Sequence, residues 1–522
     1  MIKEHYLEYL PKDAKAEFHG NSAVFEVPAS KIKEIAVDLF AGKNLQLKII
    51  TATDERKENG CFKIWYVFGV PKKNIFIIPF IKIKDTNDFP SLSLEIRQAS
   101  GYERRIQTFF GLKPVGNPDP RPIILHENWP TDKFPLRKDF DWKTRPVEAQ
   151  GSYDFQTVKG EGIYEIPVGP IHAGIIEPGH FRFSVAGESI VLLEPRLGFV
   201  HKGSEKLFEN ISLDEKTRLS EKISGDSSFS HSMAFCSVIE QLGNISAPKR
   251  AQYLRVICAE LERLANHFGD IGAIMMDTGF NFGGAQGSRL REMIMRINER
   301  IFGSRFLRGV NIVGGVKKDI NNEEKEKLSL ELANILKDFS EVIDVAGGSA
   351  SLLNRLKGTG AISQNVAKDL GIMGVAGKAV GISSDARYDY PYGAYGELAL
   401  PEIAVESDGD VNARFNVRVK EVRASIDIIQ NALLKIPKGD LKNNGEIKLE
   451  KNSVVVSIVE GWRGDIVYFV TTDSSGNISR VAPRDPSFVN WNAIKDAGFD
   501  NVVPDFPLIN KSFNMSYSGN DL

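Results

Sequence analysis

The pattern of hydrophobic and polar positions changes from strand-like to helical along the chain. Four segments near the N-terminus are rich in β-branched and aromatic residues, a composition typical of strands. They are residues 23–27, 45–52, 61–69 and 74–83. Helical spacing begins after Ser30, which we predict to cap the helix that follows. Several strands with few helices predict a small α+β domain over residues 1–140.

Long helices are predicted in the second part of the chain. Apolar residues recur at intervals of three and four from Leu254 to Phe268, and again from Val422 to Ile436, as on a buried helix face. Charged neighbours such as Glu262 and Arg263 are expected to be solvated or in interhelical pairs that contribute little energy. Strand patterns also recur late in the chain, at residues 454–459 and 466–472.

These patterns predict an α+β protein with a defined organisation. A small α+β N-terminal domain over residues 1–140 is followed by a linker over 141–162, which contains three glycines. Residues 163–522 are predicted to form a mainly α-helical bundle domain with peripheral β-sheets.

Composition limits the functional classes. The 522 residues are 42% apolar and 26% charged, as in an ordinary globular protein, and a net charge of −2 gives no reason to expect a nucleic-acid partner. The longest apolar run, residues 75–83, is far shorter than the roughly 20 residues of a membrane-spanning helix. The N-terminus lacks the plan of a signal peptide. We therefore predict a cytoplasmic chain whose membrane association depends on other subunits.

The cysteine count argues against a cofactor bound by this chain alone. Cys61, Cys236 and Cys258 are the three cysteines, and no two of them have CxxC spacing. An iron–sulfur cluster needs about four thiolates, so we predict that each is a small buried apolar residue. No Gly-x-Gly-x-x-Gly fingerprint follows a strand, and the glycines at 283–287 are a weak signal for a nicotinamide site.

A motif series near the end of the N-terminal domain resembles a known family. It comprises Tyr-Glu-Arg at 102–104, Phe-Gly at 110–111, Pro-Asp-Pro-Arg at 118–121 and Pro-Leu-Arg-Lys-Asp at 135–139. In this order the motifs resemble the signature of the respiratory complex I 30-kDa subunit. The series departs from the family at Arg105 to Gln107, where a second acidic helix residue is usual. This basic, proline-stiffened segment contains no nucleophile or ligand cluster, so we expect it to dock against a neighbouring subunit.

A second motif region spans residues 194–240, EPRLGFVHKGSEKLFEN followed by ISLDEKTRLSEKISGDSSFSHSMAFCSVIE. It resembles the first metal-binding region of the nickel–iron hydrogenase large subunit of the energy-converting group. It also resembles the matching segment of the complex I 49-kDa subunit. In the hydrogenases this region contains a CxxC pair, which falls on Ser224 and Ser227 here. The resemblance runs from residue 163 to the C-terminus.

The second CxxC pair of those hydrogenases follows a stretch similar to DFPLINKSF, which residues 505–513 contain. Asn-Met-Ser-Tyr-Ser-Gly comes next, so the cysteine positions fall on Ser516 and Gly519. Nickel favours thiolates, a serine hydroxyl is a poor nickel ligand near neutral pH, and glycine has no side chain. The resemblance therefore implies four former metal-ligand positions and predicts that this chain binds no metal.

Other residues of the pocket match the family more closely. Arg463, in Glu-Gly-Trp-Arg-Gly, falls where hydrogenases have an arginine over the active site, which implies a contact with a ligand. Glu205 falls where these families keep a glutamate used in proton transfer, and Asp226 and His231 flank the former metal position. A buried carboxylate with a raised pKa could carry protons, so we predict proton handling by these three residues. The alternative is that all four satisfy one another in a vestigial cavity.

The quinone loop of complex I is matched in part. His172 corresponds to the first histidine of the Gly-Pro-x-His-Pro-x-x-His loop, and we predict that it contacts a ligand. The second histidine falls on Ile176, and only a realignment would offer His180; the family's tyrosine position falls near Gly225. A complex I-like headgroup site is thus not supported residue by residue. Quinone and NAD are implied only by family resemblance.

The resemblance implies a subunit of a membrane-bound, complex I-like oxidoreductase related to hydrogenase-4 and formate hydrogenlyase. We expect this chain to lack the nickel–iron centre and to help couple electron transfer to ion translocation. Its expected partners are a small iron–sulfur subunit, which holds the cluster, and antiporter-like membrane subunits, with this chain peripheral on the cytoplasmic side. The alternative is a non-catalytic structural or coupling subunit. That alternative predicts a packed pocket, whereas a catalytic subunit predicts an open cavity with perturbed carboxylates.

Overall fold

The computed structural model describes residues 4–172 and 176–522. The helices of these residues are α1 Glu4–Leu7, α2 Ile32–Val37, α3 Arg56–Asn59, α4 Ala99–Phe110, α5 Ser204–Asn210, α6 Leu213–Ser220, α7 Ser228–Leu242, α8 Lys249–Asp277, α9 Asn281–Phe302, α10 Asn322–Gly347, α11 Ala350–Leu356, α12 Gln364–Leu370, α13 Gly374–Lys378, α14 Ala386–Asp389, α15 Val411–Lys435, α16 Pro486–Asn490, α17 Ile494–Gly498, α18 Phe506–Phe513 and α19 Tyr517–Asp521. The strands are β1 Glu17–His19, β2 Ser22–Glu26, β3 Gln46–Glu55, β4 Cys61–Val70, β5 Ile75–Ile83, β6 Asp88–Pro90, β7 Lys113–Val115, β8 Ile163–Val168, β9 His180–Ala186, β10 Ser189–Arg196, β11 Asn311–Ile312, β12 Gly315–Val316, β13 Val454–Gly461, β14 Gly464–Thr472 and β15 Ile478–Arg484. The α+β class predicted from the sequence is confirmed.

The N-terminal domain is built on a five-stranded sheet in the order β1-β2-β5-β4-β3. Strands β2 and β5 run parallel, and the other neighbours are antiparallel. The predicted cap at Ser30 is wrong: Lys31 is the N-cap of α2, and no side chain caps that helix. The Lys31 N–H donates to the Pro28 carbonyl at 2.9 Å, so a 3₁₀ turn has already begun before Ser30 is reached.

The helical domain is organised around α8, which packs against α9 and α15. Gly272 of α8 and Gly287 of α9 let the two helices meet closely, since a Cβ at Gly287 would lie 2.5 Å from the Gly272 Cα. Helix α8 is buried on nearly all sides, so Glu262 and Arg263 are buried as well. The expectation that they are solvated or in weak pairs is wrong, because no face of this part of α8 meets solvent.

The antiparallel sheet β13-β14-β15 lies between the two domains. Alternate side chains of a strand point to opposite faces. Val455, Val459 and their neighbours on one face join the core of the helical domain, while Val454, Val456 and theirs join the core of the N-terminal domain. The hairpin that carries Arg463 is therefore held from both sides.

The segment with the 30-kDa signature packs against the second domain of its own chain. Arg121 forms an ion pair with Glu194 at 2.5 Å, and the Gln156 N–H donates to the same carboxylate at 2.8 Å. Lys138 donates to the Ser479 carbonyl at 2.5 Å. The segment therefore contacts the second domain of the same chain, and docking against a neighbouring subunit stays a prediction. No helix in the described part of the chain is long and apolar enough to cross a membrane.

Candidate functional site

The former metal-ligand positions lie in two segments that the fold brings into contact. Ser224 and Ser227 precede α7, and Ser516 is the N-cap of α19, where its Oγ accepts from the Gly519 N–H at 2.9 Å. The Ser224 hydroxyl donates directly to the Ser516 Oγ at 2.8 Å. All four residues are buried. Residues that lie almost 300 positions apart in the chain are thus joined by one hydrogen bond.

Arg463 lies between these segments, at the tip of the β13–β14 hairpin. Gly461 pairs with Gly464, which leaves Trp462 and Arg463 as a two-residue turn. Both turn side chains are buried, and the guanidinium lies 3.8 Å from the centre of the Trp462 ring. The guanidinium donates to both carboxylate oxygens of Asp226, each at 2.6 Å. This bidentate geometry is the strong form of an arginine–carboxylate pair.

The ion pair fixes the charge of Asp226. Burial would raise the pKa of Asp226, but the Arg463 charge and its hydrogen bonds outweigh burial and lower that pKa. The guanidinium also lies 3.4 Å from the hydroxyl oxygens of Ser224 and Ser227, and it donates to the Asn514 carbonyl. The Asp226 side chain is 34% exposed to solvent, so the ion pair lies at the edge of the core.

Asp485 occupies the space beside the fourth position. A Cβ at Gly519 would lie 2.6 Å from the Asp485 carboxyl carbon, closer than two such atoms can approach. The His231 Nε2 lies 3.0 Å from the same carboxylate, and its Nδ1 lies 3.1 Å from the Tyr468 hydroxyl. Burial raises the pKa of Asp485, but the hydrogen bond from His231 and nearby charges lower it to about 2. Both ring nitrogens of His231 therefore have partners.

These residues do not fit a nickel–iron centre. Two of the four positions are spanned by the hydrogen bond between Ser224 and Ser516, and Asp485 takes the space that a side chain at Gly519 would need. The Arg463 guanidinium places a permanent positive charge where a metal cation would have to bind. In residues 4–172 and 176–522, no group of three or more His, Cys, Asp or Glu side chains is arranged to hold a metal ion.

A perturbed carboxylate that the sequence analysis missed lies next to Asp226. Glu262 accepts from the Phe229 N–H at 2.6 Å and from the Ser230 hydroxyl at 2.5 Å, at the start of α7. Burial, with a smaller effect of Asp226, raises the pKa of Glu262 to about 7. Glu262 and Asp226 line a cavity of about 20 Å³, enough for roughly one water molecule.

Glu205 belongs to a different group of charges. Its carboxylate accepts from Arg480 of β15 at 2.5 Å and from Arg105 of α4, so it joins both domains. Burial would raise the pKa of Glu205, but the two arginines outweigh burial and lower it. Arg105 belongs to the segment, Arg105 to Gln107, where the 30-kDa signature usually has a second acidic residue. Glu205 and Asp226 share no hydrogen-bond partner among the residues that the structure describes.

His172 lies on the connection between β8 and β9. Its Nε2 donates to the Gly179 carbonyl at 2.7 Å. His180 begins β9, and Ile176 is exposed. Residues 173–175 of the predicted quinone loop lie outside the described residues. A role of His172 in ligand contact stays a prediction.

No local sequence signal marks Glu262 as perturbed. The α8 positions off the Leu254–Phe268 stripe include Cys258 and Ala259 but also Glu260 and Arg263, so the helix reads as amphipathic in sequence although all of these residues are buried in the structure. Charged residues buried in this way must be paired or titrate abnormally.

Comparison of the sequence with known proteins shows the family of this chain. The sequence model of the respiratory-chain NADH dehydrogenase 30 Kd subunit matches residues 25–146, and that of the 49 Kd subunit matches residues 277–455. Formate hydrogenlyase subunit 5 of Escherichia coli (strain K12) is 31% identical over 502 residues, covering 95% of this chain and 88% of the relative.

Two further relatives match over a similar extent. Hydrogenase-4 component G of Escherichia coli (strain K12) is 32% identical over 481 residues, covering 91% of this chain and 83% of the relative. The C/D protein of NADH-quinone oxidoreductase from Phocaeicola vulgatus is 30% identical over 462 residues, covering 84% of this chain and 88% of the relative. The chain belongs to the family of membrane-bound hydrogenase and complex I-like oxidoreductase subunits that contains these proteins.

Replacement of Arg463 by methionine should destabilise the protein. The change leaves the Asp226 carboxylate without its cation and removes the hydrogen bonds to the serines. Breaking a fully buried pair costs about 3–5 kcal/mol, and the partial exposure of Asp226 reduces the expected loss to about 2–3 kcal/mol. Urea unfolding of the full chain measures this loss. Arg308→Met is the matched control, because Arg308 is exposed and contacts Gly225 and Ser228 without a carboxylate. Equal losses for both variants would contradict the assigned role of Arg463.

Gly519→Ala should destabilise the protein through steric conflict with Asp485. The new Cβ would meet the carboxyl group at 2.6 Å, and overpacking of this kind costs about 1–3 kcal/mol. Gly347→Ala is the control, since a Cβ there meets no atom within 4 Å. Thermal unfolding compares the two variants. A neutral Gly519→Ala variant would show that Asp485 does not occupy this space.

Glu205→Gln should remove a stabilising contribution that depends on pH. The pKa of Glu205 is lowered in the folded chain, so its contribution is present above the unfolded pKa of about 4.3 and is lost as the pH falls through the folded pKa. We expect the variant to lose about 3–5 kcal/mol near neutral pH and less in acid. Glu58→Gln, at an exposed position of α3, is the control. The measurement is urea unfolding across the pH range, and a loss independent of pH would argue against an ionised Glu205.

Proposed function

We propose that this chain is a subunit of a membrane-bound, complex I-like oxidoreductase related to the energy-converting hydrogenases. It acts there without a nickel–iron centre, and the space of that centre is filled by side chains. The observation that supports this most strongly is the ion pair between Arg463 and Asp226, set among serines at the former ligand positions. The relatives, two of which are named as hydrogenase or hydrogenlyase components, support assembly into such a complex.

The proposed place of the chain follows from the same relationships. We infer partnership with a small iron–sulfur subunit, which supplies the cluster, and with antiporter-like membrane subunits, with this chain peripheral on the cytoplasmic side. NAD and quinone are implied only by family resemblance, and we propose no site for either on this chain. One relative is named a membrane-bound hydrogenase subunit alpha, from Pyrococcus furiosus, which supports attachment to the membrane through partners.

Two roles are open to this chain within the complex. In the first, protons are handled at Asp226, His231 and Glu205, and electron transfer in the partner is coupled to ion movement below. In the second, the chain is a structural or coupling subunit whose site does not turn over. The pairing of Asp226 with Arg463 and of Glu205 with two arginines favours the second role for these residues, since a tightly paired carboxylate holds its charge.

The proposal predicts the composition of the complex purified from membranes through a tag on this chain. Iron–sulfur and antiporter-like subunits should be identified by mass spectrometry, with iron present and nickel far below one atom per chain. Mock purification from cells with the untagged chain is the control. Nickel at one atom per chain, or a chain that purifies alone, would contradict the proposal.

Asp226→Asn distinguishes the two roles in the same complex. The substitution keeps the shape of the side chain and removes the charge that Arg463 compensates. In the structural role, assembly weakens while activity per assembled complex is unchanged. In the proton-handling role, the complex assembles and its ion translocation falls. Asp132→Asn is the control, because Asp132 is exposed and pairs with its own neighbour Lys133.

A further inference from the structure

A second group of charges, not used in the proposed function, is buried beneath the hairpin that carries Arg463. The group surrounds the ammonium of Lys378, the last residue of α13. Its other members come from α8, from α14 and its N-cap, from α15 and from β13. Every member is at most 4% exposed, a burial that charged side chains tolerate only when they are paired. The members are Glu260, Arg263, His267, Lys378, Asp385, Arg387, Glu421 and Glu460.

Most of these groups are closely paired. Lys378 donates to Asp385 at 2.6 Å and to Glu421 at 2.7 Å. Arg387 bridges Asp385 at 2.7 Å and Glu260 at 3.1 Å. Asp385 thus faces two cations. The Glu260 carboxylate receives two further hydrogen bonds from hydroxyl groups of Tyr395 and Ser425.

Glu460 is the carboxylate of this group with the weakest compensation. Its Oε2 accepts from the Ala386 N–H at 2.9 Å, and its Oε1 lies 3.6 Å from the Lys378 nitrogen. The short contacts of Lys378 are made to Asp385 and Glu421 instead. Four carboxylates therefore face three permanent cations, and the one left over is Glu460.

The groups outside the cluster do not compensate Glu460. Asp465 lies opposite Glu460 on the neighbouring strand, and it is held by Lys48 at 2.6 Å and Arg484 at 2.7 Å. The Tyr392 hydroxyl oxygen accepts from the Glu460 backbone N–H at 3.0 Å, a contact that does not involve the Glu460 carboxylate. The Asp465 carboxylate thus adds a negative charge beside Glu460. Lys48 and Arg484 pair with Asp465 rather than with Glu460.

His267 supplies a second base in the same cluster. Its Nε2 donates to Glu421 at 2.6 Å, and its Nδ1 is buried without a hydrogen-bond partner in the described residues. Burial lowers the pKa of His267 against the opposing effect of Glu421, so the ring is neutral and its Nδ1 offers a lone pair. An unpaired buried acceptor of this kind costs free energy, and a bound proton would satisfy it.

We infer that the cluster around Lys378 is a buried proton-binding site, in which Glu460 takes up one proton from water and returns it to water. Protonation removes the one uncompensated negative charge, and the carboxylate becomes a neutral acid. The pKa of Glu460 agrees with this geometry, since burial and the Asp385 charge raise it to about 7. The Nδ1 of His267 is a second base of the cluster.

The site is mechanically linked to the former metal site. Arg263 donates to the carbonyl oxygens of Glu460 at 2.8 Å and of Gly461 at 3.0 Å, and the next two residues are Trp462 and Arg463. A change of charge at Glu460 therefore acts on the strand that positions Arg463. A role of this proton in coupling to ion translocation rests on the proposed function; the proton-binding site itself does not.

Infrared difference spectroscopy of the isolated full chain tests the proton-binding site, because a protonated carboxyl group has its own carbonyl band. Raising the pH from about 5 to about 9 should abolish the carbonyl band of Glu460 in the wild type, with the midpoint of the change near the raised pKa of Glu460, and also a separate band of Glu262, whose pKa is raised as well. Glu460→Gln should lack the Glu460 band, and proton release over the same range should fall by one proton per chain. Glu460→Asp, which keeps a carboxyl group, should retain a titrating band at a shifted position.

Glu262→Gln is the matched control, as it removes another buried carboxylate with a raised pKa from the same region. It should abolish a different band and leave the Glu460 band intact. Identical difference spectra for the wild type and Glu460→Gln would overturn the inference, as would a Glu460→Asp variant without a titrating band. Because no partner subunit is involved, failure here is separate from failure to isolate a membrane complex.

Discussion

The ion pair between Arg463 and Asp226 is the interaction on which the rest of the site depends. It joins the tip of a hairpin, held from both sides by hydrophobic cores, to the segment that begins α7. An arginine buried in this place needs a carboxylate, and the serines at 224 and 516 are then close enough to bond to each other. The pocket at the predicted ligand positions is thus held together by charge and hydroxyl groups.

The buried carboxylates of the second domain divide into two kinds. Asp226 and Glu205 are each matched by arginine in bidentate or double contacts, and their pKa values are lowered. Glu262 accepts hydrogen bonds from neutral N–H and hydroxyl groups, Glu460 has only a 3.6 Å share of Lys378, and burial raises the pKa of each carboxylate to about 7. The first kind fixes geometry, and the second kind can change charge near neutral pH. The two carboxylates that can change charge near neutral pH, Glu262 and Glu460, therefore lie beside the predicted metal-ligand positions and not at them.

Much of the fold could be predicted from local pattern, whereas much of the site could not. The strands of the N-terminal sheet follow from segments rich in β-branched and aromatic residues, the helix α8 follows from apolar spacing of three and four, and the motif order placed Ser224 and Ser516 at related positions. The burial of Glu262 required knowledge that helices cover α8 on all faces. The pairing of Arg105 with Glu205, and the assembly of Glu460 with Lys378, join residues about 80 to 100 positions apart, which no local pattern reveals.

A double-mutant cycle on Arg463 and Asp226 in the full chain tests the central claim most directly. Unfolding free energies of the wild type, Arg463→Met, Asp226→Asn and the double variant isolate the interaction between the two side chains. The account predicts a coupling of about 1–3 kcal/mol, with the double variant less destabilised than the sum of the single ones. Additive losses, within about 0.5 kcal/mol, would show that the two residues do not hold the site together.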